Sequence, residues 1–220
     1  MPSLTVENYV KAIYQISAED AGRASTGRLA AALSVSPGTV TSMLKTLSES
    51  ELVTYTPYEG VRLTARGQRL ALRVLRRHRL IELFLAKTLG LAWDEVHEEA
   101  EHMEHAVSDR LVDRIEAYLG YPQVDPHGDP IPKADLSLEK GSAVPLAECP
   151  VGSRFRLARE LDQSPEFLRY LSESHLDLGS EARVLTNRTE VGVLTLRVGE
   201  RETTLGSEAA RGILVELLDP

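Results

Sequence analysis

Residues 97–105 read His-Glu-Glu-Ala-Glu-His-Met-Glu-His, and no other stretch restricts the fold so strongly. On a helix, His97, Glu101, Glu104 and His105 fall at offsets of 0, 4, 7 and 8 and share one stripe. A helix normally buries an apolar stripe at that spacing. Here the stripe carries two imidazoles and two carboxylates, groups that enter an interior only with partners. Either this is a solvated acidic face, or a divalent cation satisfies all four. The run by itself leaves both open.

The chain has 220 residues, 42% hydrophobic and 26% charged, a globular composition with room for one large or two ordinary domains. No apolar run approaches the roughly 18 residues that span a bilayer. The opening MPSLTVENYV lacks the basic and apolar regions of a signal peptide. The single cysteine, Cys149, excludes a disulfide framework within the chain. A cytoplasmic protein without a membrane partner is expected. The formal charge of −8 argues against nucleic acid only as a whole-chain sum, because DNA responds to the local field.

Residues 4–20 carry Leu4, Val6, Val10, Ile13, Tyr14 and Ile16 at helical spacing. A loop at 21–27 and a short helix at 28–33 follow. Then Ser36 stands as an N-cap, Pro37 suits a first helical position, and Val40, Met43, Leu44 and Leu47 repeat at helical spacing. Two short helices joined by a tight turn form the helix-turn-helix pattern. Leu52–Tyr55 and Val61–Leu63 flank a turn at Pro57–Gly60, a hairpin that completes a winged helix.

Residues 65–90 read as a long helix ending at Gly90. Arg66, Arg69, Arg73, Arg76, Arg77 and Arg79 stand on it with no acidic residue between them, which is a solvated face or a phosphate-facing pole beside the wing. His78 and Glu82 lie four apart on the same helix and share a face. A second helix is expected from Trp93 to about Tyr118, packed antiparallel on the first, with surplus apolar residues that an obligate dimer would cover. Residues 121–143, rich in Pro, Gly and Asp, read as a linker. Residues 144–220 hold short alternating strands, punctuating glycines and one helix at 164–173, the texture of a small antiparallel β-barrel.

Taken together, the winged helix, H-R-L-I-E on one helix, V-H-E-E-A-E-H-M-E-H on the next and the loop H-G-D-P-I-P resemble the metal-dependent repressors of the diphtheria-toxin-repressor and manganese-regulator family. The resemblance covers the whole chain. It implies a mainly α chain with a small β domain: a winged helix-turn-helix at 1–65, a helical dimerisation and metal-binding domain at 66–120, the linker at 121–143 and a FeoA-like β-barrel at 144–220. It implies a primary metal site at Asn8, Glu101, Glu104 and His105. An ancillary site falls on His78, Glu82 and His97, with Gln163 and Glu166 lent by the barrel. Some manganese-type members take ligands from the loop before H-G, which points to Asp125 and His127.

Iron-responsive members carry Cys at the position of Glu101, and a hard carboxylate there favours Mn(II) over thiophilic metals. Fe(II), Co(II), Cd(II) and Zn(II) are the other ions such sites take in vitro. Manganese-type members place two acidic ligands on the first helix, where this chain has Asn8 and Lys11. A charged Lys cannot ligate, so two separate mononuclear sites are expected rather than a binuclear centre.

The expected function is a metal-activated repressor of metal-uptake genes, acting on double-stranded operator DNA as a homodimer. The DNA contacts fall on Ser36, Pro37, Gly38, Thr39, Thr41, Ser42 and Lys45, with Arg28, Tyr58 and Arg62 for the backbone. An Fe(II)-responsive regulator and a winged-helix protein sensing a non-metal ligand are the alternatives. A metallohydrolase is disfavoured, because H-E-x-x-H is absent and no organic substrate is implied.

Overall fold

The structure is a computed structural model that describes residues 3–19, 22–139, 141–188 and 191–218. It divides into two compact units. The first takes in Met1–His78, His102–Asp109 and Pro132–Ser137, the second Arg79–Glu101, Arg110–Ile131 and Leu138–Pro220. No described helix is long and apolar enough to cross a membrane.

The first unit opens with α1 (Leu4–Glu19), α2 (Thr26–Ala32) and α3 (Pro37–Glu49). The last residue expected of the first helix, number 20, lies outside the described residues. Ser25 caps α2 by accepting the Arg28 N–H at 3.2 Å, and Ser36 caps α3 by accepting that of Thr39 at 3.1 Å. Val10 and Ile13 of α1 meet Leu29 of α2 and Val40, Leu44 and Leu47 of α3 in one fully buried core. The wing is an antiparallel pair, β1 (Val53–Thr56) and β2 (Gly60–Leu63), widened by an Ala24–Val61 bridge. The chain then enters α4 (Ala65–Phe84) through Thr64, whose hydroxyl donates to the Glu51 carbonyl at 2.7 Å and accepts from the Gly67 N–H at 3.1 Å. A Cβ on Gly67 would sit 2.0 Å from the Leu52 carbonyl oxygen, so only glycine lets α4 lie this close to the wing.

A π-helical turn over Leu85–Leu89 ends α4, and Gly90, at φ +72°, closes it in the left-handed region. The single helix expected from 93 to about 118 is two. They are α5 (Val96–Met103) and α6 (Asp109–Tyr118), with a break at residues 104–108. Ser108 is a cap-type residue and Asp109 an acid in the first turn of α6, a start signal inside a periodic stretch.

The second unit is built on six antiparallel strands in the order β3-β8-β4-β5-β6-β7. They are β3 (Val144–Pro145), β4 (Arg154–Glu160), β5 (Glu181–Arg188), β6 (Val193–Val198), β7 (Arg201–Gly206) and β8 (Ile213–Leu218). Two helices lie between these strands in the chain, α7 (Pro165–Glu173) and α8 (Ser207–Arg211). This corrects the expected barrel: the sheet is open, with β3 and β7 as its edges and no pairing between them among the described residues. Closure needs a ladder between the edges, and β3 is two residues long and ends in proline, which has no N–H to give. Phe155, Leu157, Leu196 and Val215 from the sheet and Leu171 and Ala210 from the helices form the core, with Cys149 buried beside them.

Within the stretch read as a linker, residues 123–131 form a tight loop packed on β4. A Val124–Pro130 bridge closes it, and Asp125 Oδ1 accepts the N–H groups of His127 and Asp129 at 2.8 and 2.9 Å. Gly128, at φ +82°, lies so close to β4 that a Cβ would fall 2.0 Å from the Ala158 carbonyl oxygen.

Candidate metal centre

One cluster of ligand-type side chains lies in the first unit, where α1 meets the segment after α5. Glu104 is fully buried. Its Oε1 accepts from the Lys11 ammonium at 2.7 Å and its Oε2 from His78 Nδ1 at 2.7 Å. Burial pushes its carboxyl up, but the His78 hydrogen bond and the Lys11 charge outweigh that and hold it below the usual range. His105 Nδ1 donates to Glu7 Oε2 at 2.7 Å, which orients the ring and makes Nε2 the lone-pair nitrogen of its neutral form. That Nε2 is buried, has no hydrogen-bond partner, and lies 3.1 Å from Glu104 Oε1. With the ring neutral, two acceptors face each other with no donor aligned between them. Asn8, the next residue after Glu7 on α1, carries another orphan, a buried Oδ1 without a hydrogen-bond partner. A buried carboxylate beside an unpartnered ring nitrogen, on a histidine oriented by a second carboxylate, is a donor set that fits a cation.

The second cluster lies in the second unit. His127 is fully buried and stacks on Trp93 with ring centroids 6.3 Å apart. Its Nε2 donates to the Trp93 carbonyl at 2.8 Å, so Nδ1 keeps its lone pair; that atom is buried, unpartnered, and 4.0 Å from Glu82 Oε2. His97 Nδ1 donates to the other oxygen of Glu82 at 3.2 Å. Glu82, Asp125 and His127 bring one ligand atom each to within 4.8 Å of one another.

Acid exceeds base around this second cluster. Arg79 reaches Asp125 at 3.5 Å and Asp129 at 3.3 Å, and Arg159 pairs with Asp129. Glu160, at the end of β4, is fully buried and neither carboxyl oxygen has a partner. Burial first, then the charges of Asp125 and Asp129, push its pKa up to about 8. Burial, with the charges of Asp129 and Glu82, likewise raises Asp125 well above the ordinary carboxylate range, against the pull of Arg79. Carboxyls in this state accept a divalent ion in exchange for protons.

The expected ligands divide as follows. Glu104 and His105 lie in the first cluster, and Asn8 stands on α1 directly after Glu7, the partner of His105. His78, expected at the ancillary site, is bonded to Glu104. Glu82, His97, Asp125 and His127 lie in the second, and Glu101 stands 3.7 Å from His97. Gln163 donates its amide to Asp129 at 2.9 Å. Glu166 is exposed and faces Arg169 on its own helix at 3.7 Å, outside the metal-type groups among the described residues.

The comparisons with known proteins agree on what surrounds these clusters. Residues 1–61 match the model of the iron-dependent repressor N-terminal DNA-binding domain, and residues 64–133 that of the iron-dependent repressor metal-binding and dimerisation domain. Residues 144–217 match the FeoA domain. The iron-dependent repressor IdeR of Mycobacterium tuberculosis is 31% identical over 223 residues, 96% of each chain. The chain belongs to the iron-dependent repressor family. That is a family of metal-dependent, DNA-binding transcriptional repressors and not of enzymes. The transcriptional regulator MntR of Geobacillus kaustophilus is 36% identical over 125 residues, 57% of this chain and 87% of that one. Among solved structures, a manganese-dependent transcriptional repressor in complex with manganese is 42% identical, with a TM-score of 0.88 over 97% of this chain and 100% of that one. ScaR with bound Cd2+ is 34% identical, with a TM-score of 0.82 over 99% and 100%.

In the DNA-binding domain of this repressor the start of α3 is exposed at Ser36, Pro37, Gly38, Thr39, Ser42 and Lys45. Thr41 is half-buried and donates its hydroxyl to the Pro37 carbonyl at 3.0 Å. Ser36 Oγ also meets the Thr39 hydroxyl at 2.9 Å, so the cap orders the side chains at this tip. Arg28 and Arg62 are exposed, and Tyr58, at φ +68°, stands fully out at the tip of the wing.

Glu7, Glu160 and the Trp93 carbonyl were not singled out by sequence reasoning, and Lys11 was expected only as a non-ligand at a ligand position of the family. The signal for Glu7 was available: it precedes Asn8 on α1 and is the acid of the helix's first turn.

Proposed function

We propose that this repressor is Mn(II)-responsive and silences metal-uptake genes, binding double-stranded operator DNA as a homodimer in the cytoplasm. The observation that carries the metal reading is the meeting of His105 Nε2 and Glu104 Oε1, two buried acceptors 3.1 Å apart. Glu104, His105 and Asn8 hold the first ion in this reading. Glu101 is included on the spacing of the sequence alone. Glu82, Asp125 and His127 hold the second, with His97 and Glu160 beside them. His78, Gln163 and Glu166 are secondary candidates there. The donors are carboxylate and amide oxygens with imidazole nitrogens and no thiolate, a set that suits Mn(II) and takes Co(II), Cd(II) or Zn(II) in vitro.

An ion at the first cluster supplies positive charge to acceptors from two parts of the chain. Glu7, Asn8 and Lys11 belong to α1, and α1 shares its core with the recognition helix α3 through Val10, Ile13, Leu44 and Leu47. Holding α1 against His105 therefore holds α3, and the loaded protein is the DNA-competent member of a population. Exposed Leu89, Leu111 and Tyr118 supply apolar surface for the dimer. The proposed division is 1–65 for the DNA, 66–120 for dimer and metal, 121–143 as connection and 144–220 as the FeoA-like domain.

Fe(II) is the second reading, favoured by the likeness to IdeR over nearly the whole chain. Binding to a duplex selected by the Mn(II)-loaded protein from a random pool tests both. Mn(II) should raise affinity at least tenfold, and His105→Ala should abolish the increase. Equal binding with and without Mn(II), but not Fe(II), would favour the second reading. Equal binding with and without every ion would overturn metal control.

A further inference from the structure

Lys11 lies on the buried side of α1, its side chain 8% exposed, and its ammonium donates to Glu104 Oε1 at 2.7 Å. The same oxygen faces the orphan Nε2 of His105 at 3.1 Å. Oε2 is held by His78. A monovalent cation attached to the chain therefore already holds the carboxylate oxygen that looks toward the unpartnered imidazole. Glu104 is fully buried, and a carboxylate in that position is tolerated only with a charge partner and hydrogen bonds.

We propose that Lys11 is the resident counter-cation of the first cluster: it holds Glu104 in the ion-free protein, must yield Oε1 to an incoming divalent ion, and restricts the cluster to a single ion. The inference rests on the metal reading above. An ammonium and a divalent ion on one buried carboxylate repel strongly, because little water screens them. The lysine stem is flexible and its head is a compact point charge, so it can withdraw while its methylenes stay packed along α1. Affinity for the ion is then the difference between two cations competing for Glu104. A second ion would need the place the ammonium occupies. Lys11 is a positioning and affinity-setting residue, not a ligand.

Mn(II) titration of the full chain by calorimetry, with bound metal counted by mass spectrometry, tests this at fixed ionic strength and pH. Lys11→Met removes the competitor and keeps the stem. It should tighten Mn(II) binding at least about tenfold and lower the melting temperature of the ion-free protein, while the Mn(II)-saturated protein melts close to wild type. Lys11→Arg retains the cation and should bind within about threefold of wild type. Lys11→Glu should raise bound Mn(II) by one ion per chain. Unchanged affinity and unchanged ion-free melting in Lys11→Met would overturn the proposal. If that variant does not fold, an unchanged ion count in Lys11→Glu overturns it instead. Wild-type Mn(II) binding in Glu104→Gln and in His105→Ala would remove the site itself, a failure that shows without any change at Lys11.

Discussion

Glu7 Oε2 accepts the Nδ1 proton of His105 at 2.7 Å, joining residues 98 positions apart in the chain. That contact decides which ring nitrogen of His105 is free, and it is the reason Nε2 faces Glu104 as an acceptor. Arg77 reaches the other oxygen of Glu7 at 3.5 Å and keeps the carboxylate in place. Substituting such an orienting carboxylate typically costs 10–100-fold in metal affinity. Glu7→Leu should weaken Mn(II) binding by about that factor, and Glu7→Gln, which retains an acceptor, by less. Isothermal titration of the purified protein measures both. A loss confined to folding stability would show that Glu7 does not orient the ligand.

The acidic surplus of the second cluster gives the ion-free protein a stability that depends on pH. Glu160 keeps its proton up to about pH 8 when folded, against an ordinary 4.5. Between those values the folded chain binds more protons than the unfolded one, so stability is full below the lower value and is lost as pH rises toward the upper. The fall approaches about 1.4 kcal/mol per pH unit for one such group. Thermal unfolding in chelator at pH 6 and pH 8 should show it. Glu160→Gln should flatten the dependence and stabilise the protein at pH 8, and Mn(II) should oppose the loss by binding the folded form.

The loop that carries Asp125 and His127 depends on Gly128. Its φ of +82° and a Cβ position 2.0 Å from the Ala158 carbonyl leave no room for a side chain. Gly128→Ala should cost about 3 kcal/mol of stability in this part of the chain. Calorimetric unfolding and an Mn(II) titration should show a weakened transition and one binding step lost, with binding at the first cluster retained.

How much of this was readable beforehand follows from the range of each signal. The winged helix was legible because its markers are local: the Ser36 cap, Pro37 at the first position and the turn at Pro57–Gly60 each act within a few residues. That Glu104 would lie by His105, and Glu82 by His97, was expected from spacing and family resemblance, and each pair does meet. The role of Glu7 was not, because nothing local tells which side chain lies against His105 from 98 residues away. The break at 104–108 was hidden because apolar spacing continues across it at Val107 and Leu111. The open sheet was hidden because alternation in a strand is the same whether or not the edges meet; β3, two residues ending in Pro145, decides it by what it cannot pair.

Metal preference gives a further check. Glu101 is proposed as a hard oxygen donor at the first cluster. Glu101→Cys should move the order of activation toward Fe(II) and Zn(II), measured as the ion concentration at half-maximal duplex binding. An unaltered ranking would show that this position does not tune selectivity.

The most direct measurement is anomalous scattering from crystals grown with Mn(II). A manganese peak bonded to Nε2 of His105 and to the carboxylate of Glu104, with the Lys11 ammonium withdrawn from Oε1, is the expected result. Manganese-loaded crystals with density elsewhere and none between those two atoms, while Lys11 still holds Glu104, would contradict it.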